Sequence, residues 1–159
     1  MDELSFRRAI GVDAPRLSEI SYLSKKHWGY SEEQLESWKS VIEVSEEELA
    51  HNVYWNALWE DEVVGFFSFD LKEGFLDEFY LLPELIGRGI GRRMFDRLIE
   101  ELKNFGVHSI MIVSDPNAQP FYEHMGAVVV GVQESVAKGR FLPVLEYVLT
   151  ASYKGYDDF

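Results

Sequence analysis

The 159-residue sequence has no cysteine, which excludes disulfides, thiolate metal sites and a cysteine nucleophile. It has no long uncharged apolar run and shows no secretory signal at either end, so a cytoplasmic protein without a membrane span is expected. Positive charge is scarce: 15 Lys and Arg stand against 28 Asp and Glu, for a net charge of −13. Unassisted nucleic-acid binding relies on basic patches that neutralise phosphates, and is not expected. The acidic balance mildly favours cationic partners, although it serves equally to keep a soluble enzyme from associating. Four histidines (His27, His51, His108, His124) show no paired ligand spacing, so no metal is expected. Internal repeats, linkers and low-complexity segments are missing as well.

With 47% hydrophobic and 14% aromatic residues, the chain can build one core. A single domain over residues 1–150 with a frayed tail, 151–159, is expected. Its organising stretch runs from Phe75 to Phe105. Phe75, Leu76, Phe79, Tyr80, Leu81 and Leu82 have the composition of a buried strand, closed by Pro83. After the loop Glu84 to Arg88, Ile90, Met94, Leu98, Leu102 and Phe105 recur at helical spacing up to Gly106.

Gly87, Gly89 and Gly91 sit where the period changes. Glycine weakens a helix start, where Ser or Asp would cap it, so its use there implies that something approaches the backbone closely. First-turn N–H groups lack intrahelical partners and carry partial positive charge; with Arg88, Arg92 and Arg93 they make a phosphate or pyrophosphate site. A P-loop is excluded because Arg92 and Arg93 follow Gly91 in place of Lys and Ser or Thr. A dinucleotide fingerprint is excluded because only Ile90 separates the last two glycines.

The remaining elements follow from local signals. Leu4 to Ile10 reads as a strand, and Asp13 as the cap of a helix through Leu17, Ile20, Tyr22 and Leu23 toward His27. Ser31 with Gln34 opens a second helix carrying Leu35, Trp38, Val41 and Ile42, and Ser45 with Glu48 opens a short turn to His51. Val53 to Trp59 and Val63 to Leu71 make a hairpin about Glu60-Asp61-Glu62, and Lys72-Glu73-Gly74 turns the chain into the central strand. Val107 to Val113 follows the glycine helix by a right-handed crossover and is therefore parallel to the central strand. Asp115 is expected to cap the next helix, with Pro116 in its first turn, and Gly126 to end it. Ala127 to Val132, a polar loop from Gln133 to Gly139, and Phe141 to Leu149 complete the order.

Ile86-Gly87-Arg88-Gly89-Ile90-Gly91 resembles the pyrophosphate loop of the GNAT acyltransferase superfamily, whose pattern is Gln or Arg, two residues, Gly, one residue, then Gly or Ala. This sequence departs from it only at Ile86. Asp115 to Ala127, which ends in Phe121-Tyr122, three residues and Gly126, is similar to the family's second signature, in the right order and separation. The resemblance implies an α/β (α+β) fold. Its mixed, mostly antiparallel sheet of about seven strands would have a central parallel pair, splayed at the cofactor site, and helices on both faces.

It further implies acetyl transfer from acetyl-coenzyme A to a primary amine, carried by a small molecule, a peptide or a protein. In this family the main chain at Phe79, Tyr80 and Leu81 pairs with pantetheine, and Gly87, Arg88, Gly89, Ile90, Gly91 and Arg92 hold the pyrophosphate. Asn117 resembles a cofactor contact. Tyr122 matches the tyrosine that protonates the leaving thiolate. Asp77 and Glu78 are both placed to be the base; as strand neighbours they face opposite sides, so only one lines the site. His27, Trp28 and Tyr30 fall where such folds build the acceptor wall, and packing between two helices explains them as well. A homodimer is compatible with this pattern. So is a coenzyme A sensing module without turnover, because fold does not fix function.

Overall fold

The computed structural model describes residues 3–135 and 139–149; the expected tail, 151–159, lies outside the described residues. Seven strands form one mixed sheet: β1 (Leu4–Arg8), β2 (Val53–Trp59), β3 (Glu62–Asp70), β4 (Phe75–Leu81), β5 (Ser109–Val113), β6 (Val128–Glu134) and β7 (Phe141–Val148). Their order is β1-β2-β3-β4-β5-β7-β6. β4 and β5 are the expected parallel pair, with Phe75 opposite Met111 and Leu76 opposite Ile112. Among the described residues six α-helices accompany them: α1 (Ala14–His27), α2 (Glu32–Ser37), α3 (Lys39–Ile42), α4 (Glu46–His51), α5 (Ile90–Asn104) and α6 (Gln119–His124). Among the described residues no helix is long and apolar enough to cross a membrane.

The chain forms two compact units, Met1–Phe69 with Glu78–Met94, and Asp70–Asp77 with Phe95–Phe159. In the first, helices cover both faces of the sheet. Asn56 stands opposite Phe66 and Tyr54 opposite Ser68, so these four share a face, and Asn56 donates to Asp13 at the start of α1. Gly65 points the other way, toward Met94 of α5.

Asp13 corrects the expected helix cap. It occupies the N-cap position of α1 but makes no capping bond. Its carboxylate instead takes a bidentate pair from Arg7 (2.9 and 3.1 Å), the Ile10 N–H (2.8 Å) and Asn56 Nδ2 (3.1 Å). The Arg7 hydrogen bonds, ahead of the other donors, hold this carboxyl below the usual carboxylate range against the opposing effect of burial. Both Ser capping boxes form as expected, Ser31 with Gln34 and Ser45 with Glu48. The helix opened by Ser31 breaks at Trp38, however, so Leu35 and Ile42 stay buried while Val41 turns out to solvent.

The second unit holds β5, α6, β6 and β7, and the buried row on α5 continues through Phe95, Leu98, Ile99 and Leu102. Phe105 is half exposed, because α5 ends at Asn104 and Gly106, with φ of 75°, turns the chain away. Asp115 is a further correction. α6 begins only at Gln119, and Asp115 Oδ1 accepts from the backbone N–H and the Nδ2 of Asn117 (both 2.9 Å), closing a turn upstream of the helix. β6, last in the sheet order, exposes all seven of its residues, among them Val128, Val129, Val130 and Val132.

The β2–β3 hairpin turns on two residues, Glu60 and Asp61, both with positive φ (52° and 71°). Such a turn matches strand twist but favours Asn-Gly, since a side chain in the left-handed region is strained. Replacing the pair by Asn-Gly (Glu60→Asn, Asp61→Gly) should stabilise the protein by about 1 kcal/mol. The check is a higher urea midpoint at unchanged slope; a lower midpoint would show that the native turn is not strained.

Candidate functional site

In the first unit the candidate site is built on the end of β4 and the start of α5. Glu78 and Tyr80 share the face of β4 that looks toward Tyr54 and Phe66, whereas Asp77, Phe79 and Leu81 belong to the opposite face. Tyr54 Oη donates to Glu78 Oε2 at 2.8 Å. Its ring stacks on Phe66 (6.1 Å), which packs in turn on Tyr80 (5.7 Å). Glu78 is half-buried and Asp77 exposed. Burial, and after it the charge and hydrogen bond of Glu78, push the Tyr54 phenol far above its ordinary range.

Phe79 stacks on Phe67 (6.3 Å), so its side chain serves the packing. The Leu81 carbonyl is engaged by Ser24 Oγ of α1 at 3.1 Å, and the Leu82 N–H by the Val64 carbonyl at 2.9 Å. These two bonds fix the end of β4 from α1 on one side and β3 on the other.

The loop after β4 opens with a single helical turn, Pro83–Leu85, where plain loop is expected, and then exposes Ile86, Gly87, Arg88 and Gly89. Gly87 and Gly89 have φ of 91° and 80°, and nothing lies within 4 Å of where a Cβ would sit at either. The backbone is thus both twisted into the glycine region and open to a guest. α5 starts here, with the Arg93 N–H bonded to the Gly89 carbonyl. Arg88 and Arg92 are exposed beside this first turn, whereas the Ile90 side chain is buried in the core. A pyrophosphate fits such a turn: open main-chain N–H groups, a helix dipole and two guanidinium groups.

The aromatic segment between α1 and α2 has its own internal partners. His27 and Trp28 meet edge to face at 5.0 Å and are exposed; Gly29 turns the chain with φ of 92°. Tyr30 packs on Trp38 at 5.0 Å, and its ring faces Lys25 Nζ at 5.9 Å. A cation from within the chain thus already faces this ring.

In the second unit Tyr122 lies on α6 at 6% exposure, in a cluster with Phe121 (5.3 Å) and Phe95 (6.4 Å). Burial first, then the charge of Asp115, raise its phenol well above the ordinary tyrosine value, so it is protonated throughout the neutral range. Asn117 is exposed, with its side-chain amide turned to Asp115. Tyr54 and Ser24 do not figure among the residues expected from the sequence. The signal for Tyr54 was there: a tyrosine on the inward face of a strand needs a partner for its hydroxyl.

A family model described as an acetyltransferase (GNAT) domain matches residues 28–144. No curated protein sequence matches the chain. Among solved structures it is similar to a GCN5-related N-acetyltransferase from Rhodopseudomonas palustris (23% identity, 93% of this chain and 97% of that one, TM-score 0.79). It is similar also to the PaiA N-acetyltransferase from Thermoplasma acidophilum in complex with coenzyme A (20%, 93% and 99%, TM-score 0.74). A third is a GNAT family acetyltransferase from Elizabethkingia anophelis with acetyl-CoA bound (12%, 93% and 99%, TM-score 0.65). At these identities the likeness is one of fold.

Gly65 on β3 decides how closely the strands around this site pack. A Cβ there would lie 2.7 Å from the Tyr80 carbonyl oxygen and 3.1 Å from the Met94 methyl. Met94 can move, but the β4 backbone cannot move without the Ser24 and Val64 bonds. Gly65→Ala should therefore cost roughly 1–3 kcal/mol. The measurement is thermal or urea unfolding, and a variant as stable as the parent would mean that β4 yields at Tyr80.

Proposed function

The chain belongs to the GNAT acetyltransferase family, and from that premise we propose that it moves an acetyl group from acetyl-coenzyme A directly to a primary amine. The observation that carries this reading beyond cofactor binding is Glu78, a half-buried carboxylate on β4 held by Tyr54 at 2.8 Å. A module that only sensed coenzyme A would have no use for a base. In the proposed reaction the amine gives up an ammonium proton to Glu78 and its nitrogen bonds to the acetyl carbon. The carbon–sulfur bond breaks, and the sulfur leaves as a thiolate that takes a proton from Tyr122; the second proton of the attacking nitrogen is lost as the amide forms and restores the Tyr122 phenol, so the one net proton released is that held by Glu78. Asp77, exposed on the other face of β4, is the weaker candidate for base.

Acetyl-coenzyme A is the acetyl donor in this reading. Gly87, Arg88, Gly89, Gly91 and Arg92 would hold its pyrophosphate, and the main chain of Phe79 and Tyr80 its pantetheine arm; Ile90 contributes its backbone alone. The bond between the Leu81 carbonyl and Ser24 leaves less of Leu81 for that arm. Asn117 is a weaker cofactor contact, because both its backbone N–H and its side-chain amide serve Asp115. The acceptor is a small amine or a peptide or protein amine with His27 and Trp28 at its wall, and the acidic chain favours a cationic one.

Gly89→Glu puts bulk and negative charge where the phosphates would lie. Calorimetry should show binding of coenzyme A abolished, and retained affinity would remove the loop from the site. Turnover is tested by thiol release from acetyl-coenzyme A across a panel of diamines, amino acids, aminoglycosides and short peptides. At least one amine should raise the rate above buffer hydrolysis; none doing so while coenzyme A binds tightly would favour the sensor.

With a responding amine, Tyr122→Phe should slow transfer by roughly 10²- to 10⁴-fold at nearly unchanged cofactor affinity. Because the Tyr122 pKa is raised, its ionisation should produce no falling limb in the rate below about pH 10. A limb between pH 8 and 10 that vanishes in Tyr122→Phe would contradict the burial described above.

A further inference from the structure

Tyr54 is buried to 2% exposure on β2, yet its hydroxyl ends on a carboxylate of β4, with β3 lying between them. The reach is possible because the residue opposite Tyr54 on β3 is Ser68, small and fully buried, so the phenol ring lies across it. Phe66 and Tyr80 pack along the same line, and Tyr54 stacks on Phe66 at an interplanar angle of 19°. A phenylalanine at position 54 would fill this space equally well. The hydroxyl therefore adds something other than packing: a donor placed on Glu78 at 2.8 Å.

We propose that Tyr54 is the positioning residue for Glu78, fixing the orientation of that carboxylate on the α1 side of β4 and setting its basicity through the hydrogen bond to Oε2. The inference rests on the reading of Glu78 as the base. A donor stabilises the ionised carboxylate more than the acid, so it lowers the pKa of Glu78 and widens the pH range in which the base is ready. The same hydrogen bond, together with the charge of Glu78, disfavours the tyrosinate. Glu48 on α4 also acts on Tyr54 by its charge and is itself fixed by the Ser45 capping box, while Ser68 opposes the shift. Among the described residues, Glu78, Ser68, Tyr80 and Asn56 are polar or titratable groups of the sheet on the face of Tyr54, with Glu48 of α4 and Asp13, bonded to Asn56, facing them from the helical side.

The test uses the full chain with ¹³C-labelled glutamate, the Glu78 carboxyl signal being identified by its loss in Glu78→Gln. Tyr54→Phe should raise the Glu78 pKa by roughly one unit, and should move the rising limb of kcat/KM upward by the same amount, measured with the fastest amine of the panel above. kcat should fall about tenfold from lost orientation, with coenzyme A affinity unchanged. An unmoved Glu78 titration would overturn the proposal and return Tyr54 to packing. A Glu78 pKa that moves while Glu78→Gln keeps the parental rate would uphold the coupling and refute the base instead. Should Tyr54→Phe fold poorly, Glu78→Gln reads the pair from the other side: the Tyr54 phenol must then titrate at lower pH, and no change would equally overturn the proposal.

Discussion

A single buried carboxylate fixes the frame from which the candidate site is hung. Asp13 gathers Arg7 from β1, the Ile10 backbone and Asn56 from β2, so the start of α1 is tied to two strands at once. Burying a carboxylate is unfavourable unless its oxygens are met, and here four donors meet them. From that anchor α1 runs through a buried stripe of Leu17, Ile20, Ser21 and Ser24, and Ser24 binds the Leu81 carbonyl. The end of β4 is thus set by a contact made eleven positions earlier in the same helix. Its folded-state pKa being lowered, Asp13 adds stability that is full above the ordinary carboxylate range and is lost as pH falls through the lower, native value.

β4 carries two duties that its backbone alternation keeps apart. One face presents Glu78 and Tyr80 toward Tyr54 and Phe66; the other places Phe79 against Phe67 beneath α5. Neighbouring carboxylates 77 and 78 consequently live in unlike surroundings, one in water and one in an aromatic, hydrogen-bonded pocket. Gly65 permits this by letting β3 come within reach of the Tyr80 carbonyl.

Much of the fold was legible because its signals are local. The row Ile90, Met94, Leu98 and Leu102, the two serine capping boxes and the glycines at 87, 89 and 126 each act within a few residues, and each appears where the sequence puts it. The failures share one cause. Asp13 and Asp115 have the right residue type and spacing for caps, but a bidentate Arg7 in one case and the Asn117 amides in the other compete for the same oxygens. Val41 and Phe105 fit helical spacing yet lie beyond a break at Trp38 and a helix end at Asn104, and so face solvent. At the site, motif glycines were readable. The Tyr54–Glu78 bond was not, because it depends on strands 24 residues apart and on the small size of Ser68 between them.

The valines of β6 bear on how the molecule behaves in company. A strand with every side chain in water, four of them valine and only Glu134 charged, is adhesive, and the restraint on it is the repulsion carried by the rest of a chain of charge −13. That repulsion disappears as pH approaches the sequence isoelectric point near 4.7, where the Asp13 carboxylate, with its lowered pKa, is still ionised and still holding α1. Colloidal stability and folding stability therefore part company on acidification. What meets its neighbours there is a chain whose Asp13 anchor is still in place and whose valine strand is no longer held off by charge.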